Sequence, residues 1–101
     1  MSAYIIVYRE TPLRDETAIA EYSRRNYASA KDWTARFGLT PLVAYGQANG
    51  LEGDQPDGVV VLRFPTMVDA RAWYESPEYQ EAIGLRKQAA DWRVVLVEGL
   101  D

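Results

Sequence analysis

No cysteine and no histidine occur among the chain's 101 residues. Without histidine there is no Ser-His-Asp triad, no Cys-His pair and no imidazole base poised near neutral pH. Without either residue, a zinc or iron site would need carboxylates alone, against the preference of those metals for nitrogen and sulfur ligands. Positive charge is also scarce. Eleven Lys+Arg against fifteen Asp+Glu leave a net charge of -4, whereas a nucleic-acid binder needs a basic face to release counterions from phosphate. The densest basic pair, Arg24-Arg25, is bracketed by Glu21 and Asp32 and reads as a solvated helix face. No apolar run approaches the ~18 residues of a membrane span. Met1-Ser2-Ala3-Tyr4 lacks the basic and then apolar pattern of a signal peptide. Gly46, Gly50, Gly53 and Gly58 do not lead a strand into a helix as a dinucleotide fingerprint requires. Glu52, Asp54 and Asp57 read as turn acids rather than calcium ligands. The expectation is a cytoplasmic protein with no cofactor, no metal, and no nucleic-acid or membrane partner.

What is present is ordinary globular material, 48% apolar and 26% charged, enough for one domain over residues 1–101 with a single core. Tyr4-Ile5-Ile6-Val7-Tyr8 is a β-branched and aromatic run closed by Thr11-Pro12, which predicts a strand. From Asp15 to Phe37 the period changes, with Ile19, Tyr22, Asn26, Ala30, Trp33 and Phe37 recurring as one helical stripe. Asp15 and Glu16 suit the helix start, and Gly38 suits its stop. Pro41 to Gly46 reads as a second strand, open to extension toward Leu51 through glycines that invite a bulge. A turn-rich Gly53-Asp54-Gln55-Pro56-Asp57-Gly58 segment leads into the strand Val59 to Phe64. Thr66 and Asp69 form a capping pattern for the next helix, and Ser76-Pro77 interrupts it and starts another that runs to about Ala90. Trp92 to Glu98 is the last strand.

The order βαββαβ predicts an α+β, ferredoxin-like fold: a four-stranded antiparallel sheet with its helices on one face. Strand parity then exposes a difficulty. Ile5 and Val7 oppose Tyr4, Ile6 and Tyr8, while Val60, Leu62 and Phe64 oppose Val59, Val61 and Arg63, so both sheet faces are apolar. Helices cover only one of them. A homodimer whose sheets face each other would cover the other, giving a dimeric α/β barrel.

Parity also nominates a site. Tyr4 and Tyr8 project together, and Tyr45 could reach the same cavity, where phenols can orient a ligand or donate to an oxyanion. Filling a dimer core is the alternative use of such aromatics. Arg63 interrupts an apolar strand and requires a carboxylate or an anionic ligand, with Glu98 the available partner. The expectation is one cavity, on the face away from the helices, shared by Tyr4, Tyr8, Tyr45 and Arg63.

Several segments are familiar. Leu51-Glu52-Gly53, Val60 to Thr66, Ala72 to Gln80 with its Ser76-Pro77-Glu78-Tyr79, Leu85-Arg86, and Val95-Leu96-Val97-Glu98-Gly99 resemble the bacterial family called Domain of Unknown Function 1330. The resemblance implies the dimeric α/β-barrel superfamily, which includes cofactor-independent monooxygenases, polyketide cyclases, isomerases and heme-degrading enzymes, so fold does not set chemistry. The chain departs from the family pattern around its second strand. Phe37 to Thr40 and Val43 to Gly46 replace glycine-arginine motifs, Arg63 stands where an acid is usual, and the first helix is about one turn longer. The resemblance further implies a site pairing of Asn26 with Trp33, similar in type to residues that hold an aromatic substrate's oxygen in some cofactor-independent monooxygenases. It also marks Arg86 as an anion binder. A structural amide and a salt bridge are the respective alternatives.

Together these features point to a small-molecule-binding homodimer. Its function would be that of a cofactor-independent cyclase, isomerase or monooxygenase acting on an oxygenated aromatic or polyketide-like metabolite. Tyr8, Arg63 and Asn26 are the catalytic candidates; Tyr4, Tyr45, Trp33, Arg86 and Glu98 are the ligand-binding ones. The alternatives are a non-catalytic binding or scavenging dimer, and a structural interaction domain without a cavity.

Overall fold

A computed structural model describes residues 1–101. Its elements are β1 (Ala3–Arg9), α1 (Glu16–Phe37), β2 (Thr40–Ala44), β3 (Gly58–Phe64), α2 (Met67–Tyr74), α3 (Pro77–Ala89) and β4 (Trp92–Glu98). The strands form one antiparallel sheet in the order β2-β3-β1-β4, the ferredoxin-like α+β arrangement that the element order predicts.

Local chemistry sets the boundaries. The Asp15 carboxylate accepts the Ala18 amide hydrogen at 2.9 Å, which satisfies one of the free donors at the start of α1. At the other end Gly38 adopts φ 68. A side chain there would be strained and would also meet the Pro65 ring at 2.5 Å. Thr66 caps α2 through the Asp69 amide at 3.1 Å. Ser76 caps α3, whose first residue is Pro77.

β2 is shorter than the sequence suggests. It stops at Ala44, carries its irregularity between Pro41 and Val43 rather than at the later glycines, and gives way to Tyr45 at φ 60. That left-handed backbone turns the chain out of the sheet before Gly46 is reached.

Alternation along the strands separates two faces. Ala3, Ile5 and Val7 of β1 are buried with Phe64 of β3 beneath the helices. The helices contribute Trp33, Phe37, Trp73 and Tyr79 to the same core. Trp73 is its centre, with ring centroids 4.0 Å from Tyr79, 5.5 Å from Phe64 and 5.6 Å from Trp33, in the tilted and edge-on geometries that aromatic quadrupoles favour. The opposite face carries Tyr4, Ile6 and Tyr8 beside Val61, Val95 and Val97, and no element of the chain covers it. Val95 and Val97 are exposed. No helix is long and apolar enough to cross a membrane.

Candidate functional site

A cavity of about 370 Å³ opens between α1 and the helix-facing side of the sheet. Twelve of its sixteen lining residues are hydrophobic, the composition expected of a site for a largely apolar ligand with few polar anchors. The α1 stripe supplies Tyr22, Asn26, Ala30 and Trp33, spaced three or four apart and therefore on one side of the helix. From α3 come Tyr79 and Arg86, seven residues and two turns apart. Tyr45, 46% exposed, stands at the rim.

The polar groups here are conspicuous for what they do not bond. Asn26 Oδ1, Trp33 Nε1 and Arg86 Nε are buried without a hydrogen-bond partner, a condition costly enough that few native polar groups tolerate it. Trp73 Nε1 shares it. Arg86 is only 2% exposed, and every ion pair of the protein lies elsewhere. Its guanidinium rests over the Trp92 ring, 5.3 Å from the centroid, while Trp92 Nε1 donates to the Arg86 carbonyl at 2.8 Å. The Tyr22 and Tyr79 hydroxyls bond each other at 2.7 Å. One hydrogen suffices for that bond, so the pair retains a second O–H that can donate elsewhere. Burial pushes the Tyr79 phenol far above its usual range, and the neighbouring Tyr22 adds to this. Burial also raises Tyr45, while Arg9 and Arg86 pull it down. Both phenols are therefore donors at neutral pH, not bases.

Tyr45 is seated by its neighbours. The Arg9 guanidinium lies 4.9 Å from the Tyr45 ring centroid and is itself tied to Asp57 at 2.7 Å. Gly58 faces the ring so closely that a Cβ there would sit 2.7 Å from Tyr45 Cδ1.

Within the chain, the four residues expected to share one cavity on the face away from the helices are not brought together. Tyr4 and Tyr8 do project away from the helices, but Tyr45 lines the helix-side cavity, so the three do not share a site. Arg63 is 47% exposed in its side chain and pairs with Asp101 at 2.9 Å and with Ser2 Oγ at 3.0 Å. Glu98, the expected partner, has the opposite parity: it stands opposite Ala3, whereas Arg63 stands opposite Tyr4. Asp101 also accepts the Tyr4 hydroxyl at 3.0 Å. That hydrogen bond, together with Arg63, holds the carboxyl below its ordinary range; the same bond raises the Tyr4 phenol, against the opposing pull of Arg63. The Tyr8 ring receives the Arg93 guanidinium at 4.4 Å. Of the eight nominated residues, Asn26, Trp33, Tyr45 and Arg86 converge; Tyr4, Tyr8, Arg63 and Glu98 do not join them.

Tyr22 and Tyr79 were not among the nominated residues. Tyr22 lies on the nominated α1 stripe, and Tyr79 precedes Arg86 by two helical turns, so helical periodicity was the available signal. A wider, shallower depression of about 520 Å³ adjoins the other side of Arg86, bounded by Lys87, Asp91 and Trp92. Its acid, Asp91, is already bound to Arg14 at 3.0 Å. No group of acidic side chains comes together that could hold a metal ion.

Solved structures share this fold. A dimeric ferredoxin-like protein of unknown function from Jannaschia sp. CCS1 superposes with TM-score 0.73 at 16% identity, over 98% of this chain and 100% of its own. A protein of unknown function from Rhodopseudomonas palustris gives 0.66 at 21% identity, over 99% of this chain and 83% of its own. A "putative antibiotic biosynthesis monooxygenase" from Nitrosomonas europaea gives 0.63 at 15% identity, over 98% and 90%. At these identities the likeness speaks to fold alone. The curated proteins hold no match to this chain. Residues 2–100 match the domain of unknown function 1330, and the chain belongs to that family.

Proposed function

We propose that the chain is a single domain that pairs with a second copy through its open sheet face and binds an oxygenated aromatic or polyketide-like molecule in the helix-side cavity. It would act there as a cofactor-independent enzyme of the cyclase, isomerase or monooxygenase type. The observation that carries this reading is the convergence of unpartnered polar groups, from Asn26, Trp33 and Arg86, on an apolar cavity of about 370 Å³. An apolar wall binds carbon, the unpartnered N–H groups of Trp33 and Arg86 call for ligand oxygens, and the unpartnered Asn26 Oδ1 calls for a ligand O–H. The volume falls within the ~300–1,000 Å³ of small-molecule sites.

The lining residues also restrict the chemistry. They include no carboxylate and no imidazole, so no side chain is suited to take a proton at neutral pH. They can hold developing negative charge on oxygen, through the indole N–H, the Asn26 amide, a tyrosine O–H and a guanidinium. A substrate acidic enough to form its own enolate or phenolate is the one such a site would help. The monooxygenase option has the added support of the Nitrosomonas europaea protein's description. The lack of a base is also what favours the second reading, a binding or scavenging protein without turnover.

A hydroxyanthrone tests both, because its enol form is a phenol and its oxidation can be followed by absorbance. Saturable quenching of tryptophan fluorescence is expected, since Trp33 lines the cavity. In the monooxygenase case one atom of dioxygen becomes the carbonyl oxygen at the ring CH2 and the other leaves as water with the two hydrogens of that carbon, at a rate above the buffer background. Binding without any accelerated conversion of this or related enolisable compounds would favour the scavenging reading. Absence of binding would overturn the site.

A further inference from the structure

We infer that the molecule this cavity takes is an organic anion whose charged oxygen is received by Arg86. The inference rests on the cavity being a ligand site and adds the charge of the ligand. Seven of the nine arginines pair with acids. Arg71 is exposed to solvent. Arg86 alone is buried, at 2% exposure, with no acid to meet it.

A guanidinium does not escape this condition by losing its proton. Water is the usual remedy for an unpaired cation, and burial denies most of it. The groups around Arg86 do not supply the missing charge. Asn26 and Tyr22 of α1, Tyr45 after β2 and Tyr79 of α3 line the same cavity, and all are neutral. Trp92 offers only its ring face, and Asp91 on the far side is engaged by Arg14. The Trp92 stack attracts the cation but leaves its N–H donors unused. It also fixes the planar group, because Trp92 is tethered to the Arg86 carbonyl at 2.8 Å. A fixed, planar, unspent fork of donors is suited to a carboxylate, enolate or phenolate oxygen. The protein's net charge of -4 opposes anions at long range, so selectivity for one would be local to this arginine.

The test compares 3-hydroxy-2-naphthoate with its neutral amide, two compounds of nearly one shape, by isothermal titration calorimetry on the intact protein. The carboxylate is expected to bind about 30-fold more tightly. Arg86→Met should remove that advantage, leave the amide within about threefold, and leave the melting temperature unchanged or raised, because an isolated buried charge is exchanged for an apolar chain. Arg86→Lys, which keeps charge but not the fork, should recover part of the preference. Ala30→Trp, which fills the cavity wall, should abolish both. Equal binding of acid and amide by the wild type overturns the inference while the cavity stands as a site. So does an Arg86→Met protein that keeps the acid preference or melts well below the wild type. If Arg86→Met does not fold, the acid-to-amide ratio of the wild type decides. If neither compound binds, or Ala30→Trp leaves binding intact, the cavity reading falls as well.

Discussion

The two faces of the sheet treat polar groups in opposite ways. On the open face every charged side chain near the strands has a partner: Arg63 has Asp101 and Ser2, and Arg93 has Glu10 and the Tyr8 ring. What remains between them is valine, isoleucine and tyrosine. On the helix side the packing is tighter and the aromatic core closed, yet Asn26, Trp33 and Arg86 are left without partners beside a cavity. A surface whose polar groups are satisfied among themselves and whose centre is apolar is organised to meet another apolar surface. A cavity beside two unsatisfied donors and one unsatisfied acceptor is suited to a molecule that carries both acceptors and a donor. The open sheet face and the helix-side cavity are thus both largely apolar, and they differ in whether the polar groups beside them are partnered.

The comparison breaks most readily at the open face. Ile6→Asp places a charge between Val61 and Val95. If that face pairs with a second copy, the wild type should sediment as a dimer at micromolar concentration. The variant's dissociation constant should then rise by at least about 100-fold, given the several kcal/mol that an unpaired buried charge costs. A wild type that sediments as a stable monomer would remove the interface half of the contrast.

At the cavity rim, Gly58→Ala brings a Cβ to 2.7 Å from Tyr45 Cδ1 and should cost about 1–3 kcal/mol in urea unfolding, as overpacking does. Adding Tyr45→Ala should recover much of that loss, since the clash is with this ring. No recovery would show that Gly58 is needed for something other than the seat of Tyr45.

Asn26→Leu should run in the other direction. Removing an amide whose oxygen is buried without a partner should raise stability by about 1 kcal/mol while weakening ligand binding. A drop in melting temperature would instead identify Asn26 as a structural amide, and would shrink the difference between the faces.

Acid supplies the smallest effect, confined to the open face. The Asp101 carboxyl is held below its ordinary value of 3.8, first by the Tyr4 hydroxyl and also by Arg63. Its contribution is therefore fully present above that pH and is lost as the pH falls below it. A modest fall in melting temperature is expected there, reduced by salt because the group is exposed. Asp101→Asn should flatten that part of the pH profile. The cavity lining holds no carboxylate that titrates in the same range, so binding of a neutral compound should follow only the folded fraction.

Much of the fold is legible in sequence because it is written in short-range chemistry. Asp15, Thr66 and Ser76 mark helix starts as caps, Gly38 marks a stop, and the two-residue alternation in β1 and β3 separates Ile5 from Ile6 and Leu62 from Arg63. The α1 stripe likewise placed Asn26 and Trp33 on one side of one helix. The end of β2 was less legible, because Tyr45 takes a left-handed backbone that its residue type does not announce and that Arg9 and Gly58, distant in sequence, help to hold.

By itself, then, the sequence determined the element order, the parity of β1 and β3 and the lack of any imidazole, since each depends on residue identity and on spacings of a few residues. Tertiary structure alone decided that the cavity lies on the helix side of the sheet. It also decided that Arg63 meets Asp101 rather than Glu98, and that Arg86 lines the same cavity as Asn26 with no acid paired to it. The physical reason is that periodicity states which residues leave an element together, whereas what they meet depends on how α1 and α3 pack against each other and over the sheet.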